Sequence, residues 1–596
     1  MFDRAYTDRL FGINPTITCL LKDSEDPKMA RYFLLSYLDE LIRILNHDKS
    51  RTQSLEWELQ TSCIMAFRRI ISVRSQRLAK FSSIRLLWLL AHNKWDDLPS
   101  DLSNGFFEEI IHLFHGMLGK SGIYDTDDYP AHIDHEGRES AVLRSEQLDK
   151  MASTMHECLR SYPSGLADDI RPVRAENRRR ILEHFGASED DWNNYQWHIR
   201  NVIRDAGRLG ELVTLTDTER ESIDRARKGG LPFGITPFYV SLMDHEPSRT
   251  RDHAVRAQVI PPPDYVDSML SHNGSLHSFD FMMEHETSPV DLITRRYPNI
   301  AILKPYNTCS QICVYCQRNW EINDVLFPEA LATKEKLDAA LDWIGSRPAL
   351  TEILVTGGDP LIMSDDRIDY VLSSLAGFGH IERIRIGSRT PVVLPQRITG
   401  RLADRIARYH EPGRREIVLV THFEHPYEIT PEAMNAVQKF RKRGMSVYNQ
   451  AVFTMENSRR FELVALRKYL RLIGVDPYYT FNTKGKEETR SYRVPMARLQ
   501  QEVKEEARLT AGLARTDEPV YNVPRLGKNY IRAQQHHTLL TILPNGRRVY
   551  EFHPWEKKLS LAETFVDVDV SIHDYLLEIE RRGENINDYK TIWYYF

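Results

Sequence analysis

Apolar and polar positions recur with two different periods along this chain, and the change of period divides it. Up to about residue 175 the spacing is helical. Leu34, Leu38, Leu41 and Leu45 fall three and four apart on one face. Asp26 and Pro27 precede them as a cap and a first-turn residue, so a helix is expected from there. Amphipathic stretches predict further helices near 57–72, 84–94 and 106–118. The polar stretch from Ser121 to Ser145, rich in Asp, Gly and His, reads as a loop. Residues 176–290 open with a helical stretch, Glu176 to Phe185, and pass through the aromatic-rich segment DWNNYQW at 191–197. They then reach Pro261, Pro262 and Pro263, which predict an extended joint because proline is excluded from helix interiors and central strands.

From about residue 299 short β-rich runs take over: Ile300–Leu303, Glu352–Thr356, Arg383–Ile386, Ile417–Val420, Ser446–Gln450 and Tyr478–Phe481. Between them lie amphipathic segments near 334–346, 366–376, 398–409, 430–443 and 458–473. Strands alternating with helices predict a parallel sheet with helical crossovers, in an α/β fold. An open sheet and a partial barrel both satisfy the pattern. In either, chemistry belongs at the C-terminal ends of the strands.

With 596 residues, 41% hydrophobic and 27% charged, the chain has the composition of a globular protein with a large core. Its 79 Lys and Arg against 84 Asp and Glu leave a net charge of -5, so no global attraction to nucleic acid or anionic membrane is expected. The N-terminus shows no apolar stretch after a basic start, and the apolar run Ile84–Ala91, broken by Arg85, is too short to cross a bilayer. A cytoplasmic location is expected. Six cysteines exclude a disulfide scaffold, and Cys19, Cys63 and Cys158 read as buried apolar residues.

The other three cysteines carry chemistry. Cys309, Cys313 and Cys316 follow the first strand within eight residues, on a loop where three thiolates can converge. Structural zinc takes four protein ligands, and no fourth is spaced to join. Three thiolates suit a [4Fe–4S] cluster with one iron left open for a small molecule, with zinc as the alternative.

This C-x3-C-x2-C run, with Tyr315 before its last cysteine, resembles the radical S-adenosylmethionine (SAM) superfamily. So does Thr356-Gly357-Gly358-Asp359-Pro360 at the end of the second strand. Longer strings are similar to the lysine 2,3-aminomutase family: RIGSRTPVVLPQR at 385–397, THFEHPYE at 421–428, Asn449-Gln450 and DWNNYQW. The resemblance spans roughly 176–556 and implies a partial (β/α)6 barrel, with an additional N-terminal helical region outside it. It divides the chain into 1–175, a helical region of unknown role; 176–290, a helical lead-in; 291–500, the barrel; and 501–596, a C-terminal segment.

The resemblance also implies three cofactors: the [4Fe–4S] cluster on the cysteines, SAM, and pyridoxal 5′-phosphate (PLP). Gly357, Gly358 and Asp359 match the segment that holds the SAM amino group, while His422 and Gln450 lie in matching cofactor-binding strings. Lys528, in Pro524-Arg525-Leu526-Gly527-Lys528, matches the Schiff-base lysine, although the turn has fewer glycines than the family pattern. Arg296 and Tyr297 match a segment near the PLP phosphate, and a family arginine one turn later is Ile300 here.

Arg318 matches the arginine that binds the substrate α-carboxylate, a task suited to a guanidinium fork. The lysine-specific enzymes use two aspartates for the distal ammonium. Their counterparts here are Lys484, or Lys486 in a shifted register, and Asn522. A lysine beside a substrate ammonium would be a like-charge contact, whereas Lys and Asn both donate to a carboxylate. An acidic amino acid, L-glutamate first, is therefore the expected substrate of a 2,3-aminomutase. A desaturase or epimerase using the same cofactors, a lysine or arginine aminomutase and a non-catalytic metal-binding scaffold are the alternatives. The expected partners are a flavodoxin- or ferredoxin-type electron donor and further copies of the chain in a homo-oligomer. No nucleic acid and no membrane are expected.

Overall fold

The β-rich runs after residue 299 form one sheet in the order of the sequence. In the computed structural model, residues 4–47, 55–124, 130–248, 251–271, 279–483, 487–533, 536–554, 556 and 558–596 are described. Strand β1 (Ile293–Thr294) pairs antiparallel with β2 (Ile300–Tyr306). Then β3 (Glu352–Gly357), β4 (Arg383–Gly387), β5 (Glu416–Thr421), β6 (Ser446–Phe453), β7 (Asp476–Asn482) and β8 (Glu518–Val523) follow, each parallel to the one before. Five helices connect β2 to β7: Lys334–Gly345, Asp365–Gly377, Gly400–Ala407, Pro431–Arg441 and Glu462–Leu472. This is the partial (β/α)6 barrel, extended by β8 as a seventh parallel strand.

Local chemistry starts these helices where the sequence places them. Thr333, Ser364, Thr399 and Thr430 each cap a helix by accepting the backbone N–H three residues on. Such a cap contributes about 1 kcal/mol. Along β2 the burial alternates, with Ala301 and Leu303 fully buried on one face and Ile302, Lys304 and Tyr306 half-buried on the other. That alternation brings a lysine onto the same strand face as the residues that end at the cysteine loop.

The chain forms two compact units. One is Met155–Arg493 with Glu506–Gly527, which holds the barrel and its lead-in helices. The other joins Met1–Thr154, Val494–Glu505 and Lys528–Phe596. The N-terminal helices thus share a unit with C-terminal strands, unlike the four-part division of the sequence. Within it, His537–Ile542, Arg548–Phe552 and Phe565–Val568 make an antiparallel sheet. Helix Asn104–Met117 meets this sheet through a fully buried ion pair, in which Arg548 Nε donates to Glu109 Oε1 at 2.9 Å. Arg74 reaches the same sheet through two hydrogen bonds of 2.7 and 2.8 Å to Glu551.

Three local expectations change. The stretch read as a loop to Ser145 becomes helix Gly137–Arg160, whose buried residues are only Met155 and Leu159; an almost wholly polar helix leaves no apolar stripe to read. Pro263 is not in a joint but opens helix Pro263–Ser271, where its missing N–H costs nothing. Cys19 is exposed and Cys158 half-buried, whereas Cys63 is buried. No helix among the described residues is long and apolar enough to cross a membrane.

Candidate active site

The loop after β2 carries Cys309, Cys313 and Cys316, all half-buried. Cys309 and Cys316 rest against buried Val202, Ile312, Ile322 and Val325. Backbone bonds pin the loop to the lead-in segment: Ile312 N–H donates to the Gly234 carbonyl at 3.0 Å and Val314 N–H to the Gln258 carbonyl at 2.8 Å. Burial pushes the Cys309 and Cys313 thiols up, and the Arg389 guanidinium works against that rise. Two donors already face sulfur: Arg318 N–H to Cys316 Sγ at 3.3 Å and Arg389 Nη1 to Cys313 Sγ at 2.8 Å.

Among the described residues, the one set of His, Cys, Asp and Glu donor atoms all within 4.8 Å of one another is His253, His425 and Glu462. A single zinc ion with Zn–S bonds of about 2.3 Å would hold three sulfurs within about 4.6 Å. The three cysteine sulfurs are not all within 4.8 Å of one another. The His253, His425 and Glu462 set is an ion-pair network instead. Arg459 Nη2 donates to Glu462 Oε1 at 2.7 Å, where an ion would have to sit.

At the end of β3, Gly357 adopts φ +110 and Gly358 lies directly against the backbone of Thr308. The two loops are stitched by Gly358 N–H to the Tyr306 carbonyl and Asp359 N–H to the Thr308 carbonyl, both 2.9 Å. The Asp359 carboxylate accepts four protein donors: Leu361 N at 3.0 Å, Ser388 Oγ at 2.7 Å, and Arg389 N and Thr390 N at 2.9 Å each. It ties the β3 loop to the end of β4. At the ends of β5 and β6, His422 Nδ1 bonds the Gln450 carbonyl at 3.1 Å. Burial and then Arg389 push His422 down to about 4, so the ring is neutral near pH 7 and its Nδ1 carries the proton.

Arg296 and Arg318, the two arginines singled out by sequence, meet on one carboxylate that sequence did not single out. Arg318 Nη2 lies 3.0 Å and Arg296 Nη2 3.4 Å from Glu284 Oε1. Lys304 Nζ completes the group, 3.3 Å from Glu284 Oε2 and 2.9 Å from Glu321 Oε1. Three cations thus share two carboxylates, all at least 85% buried. Burial opposes the Glu284 charge, but Arg318, Arg296 and Lys304 outweigh it and hold its carboxyl below the usual range. Arg318 Nη1 and Arg296 Nε and Nη2 are buried without a hydrogen-bond partner. A buried, unsatisfied donor is costly, and an incoming anion would satisfy these nitrogens, which otherwise have only the more distant oxygens of Glu284 at 3.4 Å and Glu321 at 3.8 Å.

Asn522, on β8, donates to Gln317 Oε1 at 3.3 Å and so stands beside the residue next to Arg318. A cleft of about 460 Å³ is lined by Asp280, Phe281, Met283, His285, Glu286, Pro524 and Arg525, flanking Glu284 in sequence. Arg525 and Gly527 both adopt positive φ, 63 and 81, to make the turn that leads to Lys528. Lys528 itself is half-buried and is the second residue of strand Gly527–Tyr530, and Tyr297 is half-buried. Lys484 and Lys486 lie outside the described residues.

Glu284, Glu321 and Lys304 were missed by sequence reasoning. Lys304 offered one signal, as a charged residue inside an otherwise apolar strand. Arg389 lay within a quoted family string but had been given no role.

No protein-family profile matches the chain. It is 44% identical over 609 aligned positions to an uncharacterized KamA family protein of Methanocaldococcus jannaschii, covering 98% of this chain and 97% of that one. The first 175 residues therefore have a counterpart there. The glutamate 2,3-aminomutase of Clostridioides difficile is 33% identical over 320 residues, 53% of this chain and 71% of that protein. The L-lysine 2,3-aminomutase of Acetoanaerobium sticklandii is 34% identical over 312 residues, 52% of this chain and 71% of that protein.

Proposed function

Because the chain belongs to the KamA family, we propose that it is a radical SAM, PLP-dependent 2,3-aminomutase that moves the α-amino group of L-glutamate to Cβ. The observation that carries this reading is the buried cationic cluster of Arg296, Lys304 and Arg318, with unpartnered N–H groups, beside a three-cysteine loop. An amino acid offers such a cluster a carboxylate, and PLP offers a phosphate.

In this reading the three cofactors are held by residues of this chain. Cys309, Cys313 and Cys316 would hold the [4Fe–4S] cluster, with SAM on the iron they leave open. Arg296 and Tyr297 would hold the PLP phosphate, and Lys528 its aldehyde carbon. Gly357, Gly358, Gln450 and His422 would line the cofactor side at the strand ends, with Asp359 fixing the loop. When bound, the cluster with SAM supplies a hydrogen-abstracting carbon radical, and PLP supplies a carrier for the migrating amino group.

The protein's own work is positioning. Glu284 pairs with Nη2 of Arg318 at 3.0 Å, and Glu321 Oε2 stands 3.8 Å from Nη1, the nitrogen that would turn to the α-carboxylate of the substrate. Asn522, with Lys484, would take the γ-carboxylate. Holding both ends would fix the orientation of the substrate's Cβ and remove most of the entropic cost of aligning it. Neutral His422 adds no charge to this region. Identities of 33% and 34% to the glutamate and lysine enzymes do not separate the two substrates. The choice of glutamate rests on the sequence match of Asn522 and of Lys484, or Lys486 in a shifted register, whose side chains would donate where an ammonium would need anions.

The deciding experiment is anaerobic incubation of the reconstituted enzyme with SAM, a one-electron reductant, PLP and a panel of amino acids, analysed by mass and NMR. Migration conserves mass and gives 3-aminoglutarate from glutamate. Loss of two mass units, or inversion at Cα alone, would replace the aminomutase reading with a desaturase or an epimerase. Turnover of lysine but not glutamate would overturn the acidic substrate.

A further inference from the structure

The Arg389 guanidinium is the hub of the wall behind the cysteine loop. Its side chain is 11% exposed and donates to five acceptors. Nη1 donates to Cys313 Sγ at 2.8 Å, and Nε to the His422 carbonyl at 3.1 Å. Nη2 donates to Glu428 Oε1 at 2.6 Å, to the Tyr239 hydroxyl at 3.3 Å and to Gln258 Oε1. The wall that holds it is rigid: Tyr239, Gln258 and Glu428 are buried, and the hydroxyl of Tyr239 and the amide of Gln258 also donate to Glu428 Oε1, at 2.7 and 3.1 Å. The backbone N–H of Arg389 is fixed in turn by Asp359 at 2.9 Å. The guanidinium therefore links the lead-in segment, through Tyr239 and Gln258, and the THFEHPYE string, through His422 and Glu428, to a single sulfur.

We infer that Arg389 is a tuning residue for the iron–sulfur centre, raising its reduction potential through a charge-assisted N–H···S bond to Cys313 whose strength is set by Glu428. The inference rests on the reading that the three cysteines hold a [4Fe–4S] cluster. In that reading the cluster passes from the 2+ to the 1+ state by taking one electron from an external low-potential carrier of the flavodoxin or ferredoxin class. The added negative charge is spread over the sulfurs. A donor and a buried cation at one sulfur stabilise the reduced state more than the oxidised one, and hydrogen bonding to cluster sulfurs is a main control of potential. Glu428 opposes it by neutralising part of that cation. Arg389 never touches substrate; it acts through Cys313.

The test is an EPR-monitored redox titration of the full-length, iron-loaded protein without SAM, with iron and sulfide analysis alongside. Arg389→Met should move the midpoint to more negative potential by a tenfold change in the one-electron equilibrium, about 59 mV. Glu428→Gln, which leaves the guanidinium uncompensated, should move it the opposite way. If Arg389→Met retains no iron, Arg389→Lys takes its place and should shift in the same negative direction by less. A purely structural role would give equal signs or no shift, and either result overturns the inference. Absence of a cluster in the wild-type protein would instead overturn the reading beneath it.

Discussion

The backbone of Gly358 rests on that of Thr308 so closely that a Cβ at Gly358 would stand 2.1 Å from the Thr308 carbonyl oxygen and 2.4 Å from its nitrogen. Thr308 immediately precedes Cys309, so this contact sets where the cysteine loop begins. The second glycine of the Gly-Gly-Asp-Pro turn thus serves the metal loop through packing, before any ligand is considered. Gly358→Ala should push the loop away while leaving the barrel folded. Iron and sulfide content should fall to a small fraction of wild type with an unchanged far-UV circular dichroism spectrum.

Arg318 should be irreplaceable by lysine. An ammonium cannot pair with Glu284 and still present a second, in-plane N–H to a carboxylate. With a charged hydrogen bond worth about 1.5–3 kcal/mol, Arg318→Lys should lower kcat/KM for glutamate by roughly tenfold to 150-fold. Steady-state kinetics check this, and PLP absorbance should be unaltered.

Lys528→Ala should abolish the visible absorbance of lysine-bound PLP. Borohydride reduction of the wild-type protein should place the pyridoxyl mass on the peptide containing Lys528. A retained chromophore in the variant would move the anchoring role to another lysine.

The pair Lys484→Asp with Asn522→Asp should depress turnover of glutamate by at least tenfold, because two anions would then face its γ-carboxylate. A rise in turnover of lysine or arginine in the same variant is expected on the same grounds. Competition assays with the three amino acids measure the change directly.

Glu424 gives the fold a pH signature. Burial lifts its carboxyl to about 8, against the pull of Arg389 and of the Val452 N–H, which donates to Oε2 at 2.6 Å. With an unfolded value near 4.5, its contribution to stability is full below that pH and declines as pH rises towards 8, where the unfolded chain releases the proton first. Glu424→Gln should flatten this decline. Urea midpoints at pH 5, 6, 7 and 8 for both proteins provide the comparison.

How much of this was legible beforehand depended on where the physics was local. The strands from β2 to β7 could be read because each is a short run rich in β-branched or aromatic residues between amphipathic segments, and the observed bounds extend the expected ones by only a few residues. Strand β8, with Pro519 inside a six-residue run, gave no such signal. The cysteines were visible because thiolate spacing is a local property. The anion cluster was not, because Glu284, Lys304 and Glu321 belong to a turn, a strand and a short helical turn that share no period. Arg389 was in view as part of a motif, but its role depends on Glu428, Gln258 and Tyr239, up to 150 residues away.

The pairing of Glu109 with Arg548 gives the molecule a direction in time. These partners are 439 residues apart in the chain and fully buried against each other. At synthesis rates of about 5–20 residues per second, the interval between their emergence is roughly 20–90 seconds. Throughout it, the opening helices have a carboxylate meant for a dry interior and no cation to meet it. The helix bearing Glu109 therefore cannot finish packing until the strand bearing Arg548 has been made.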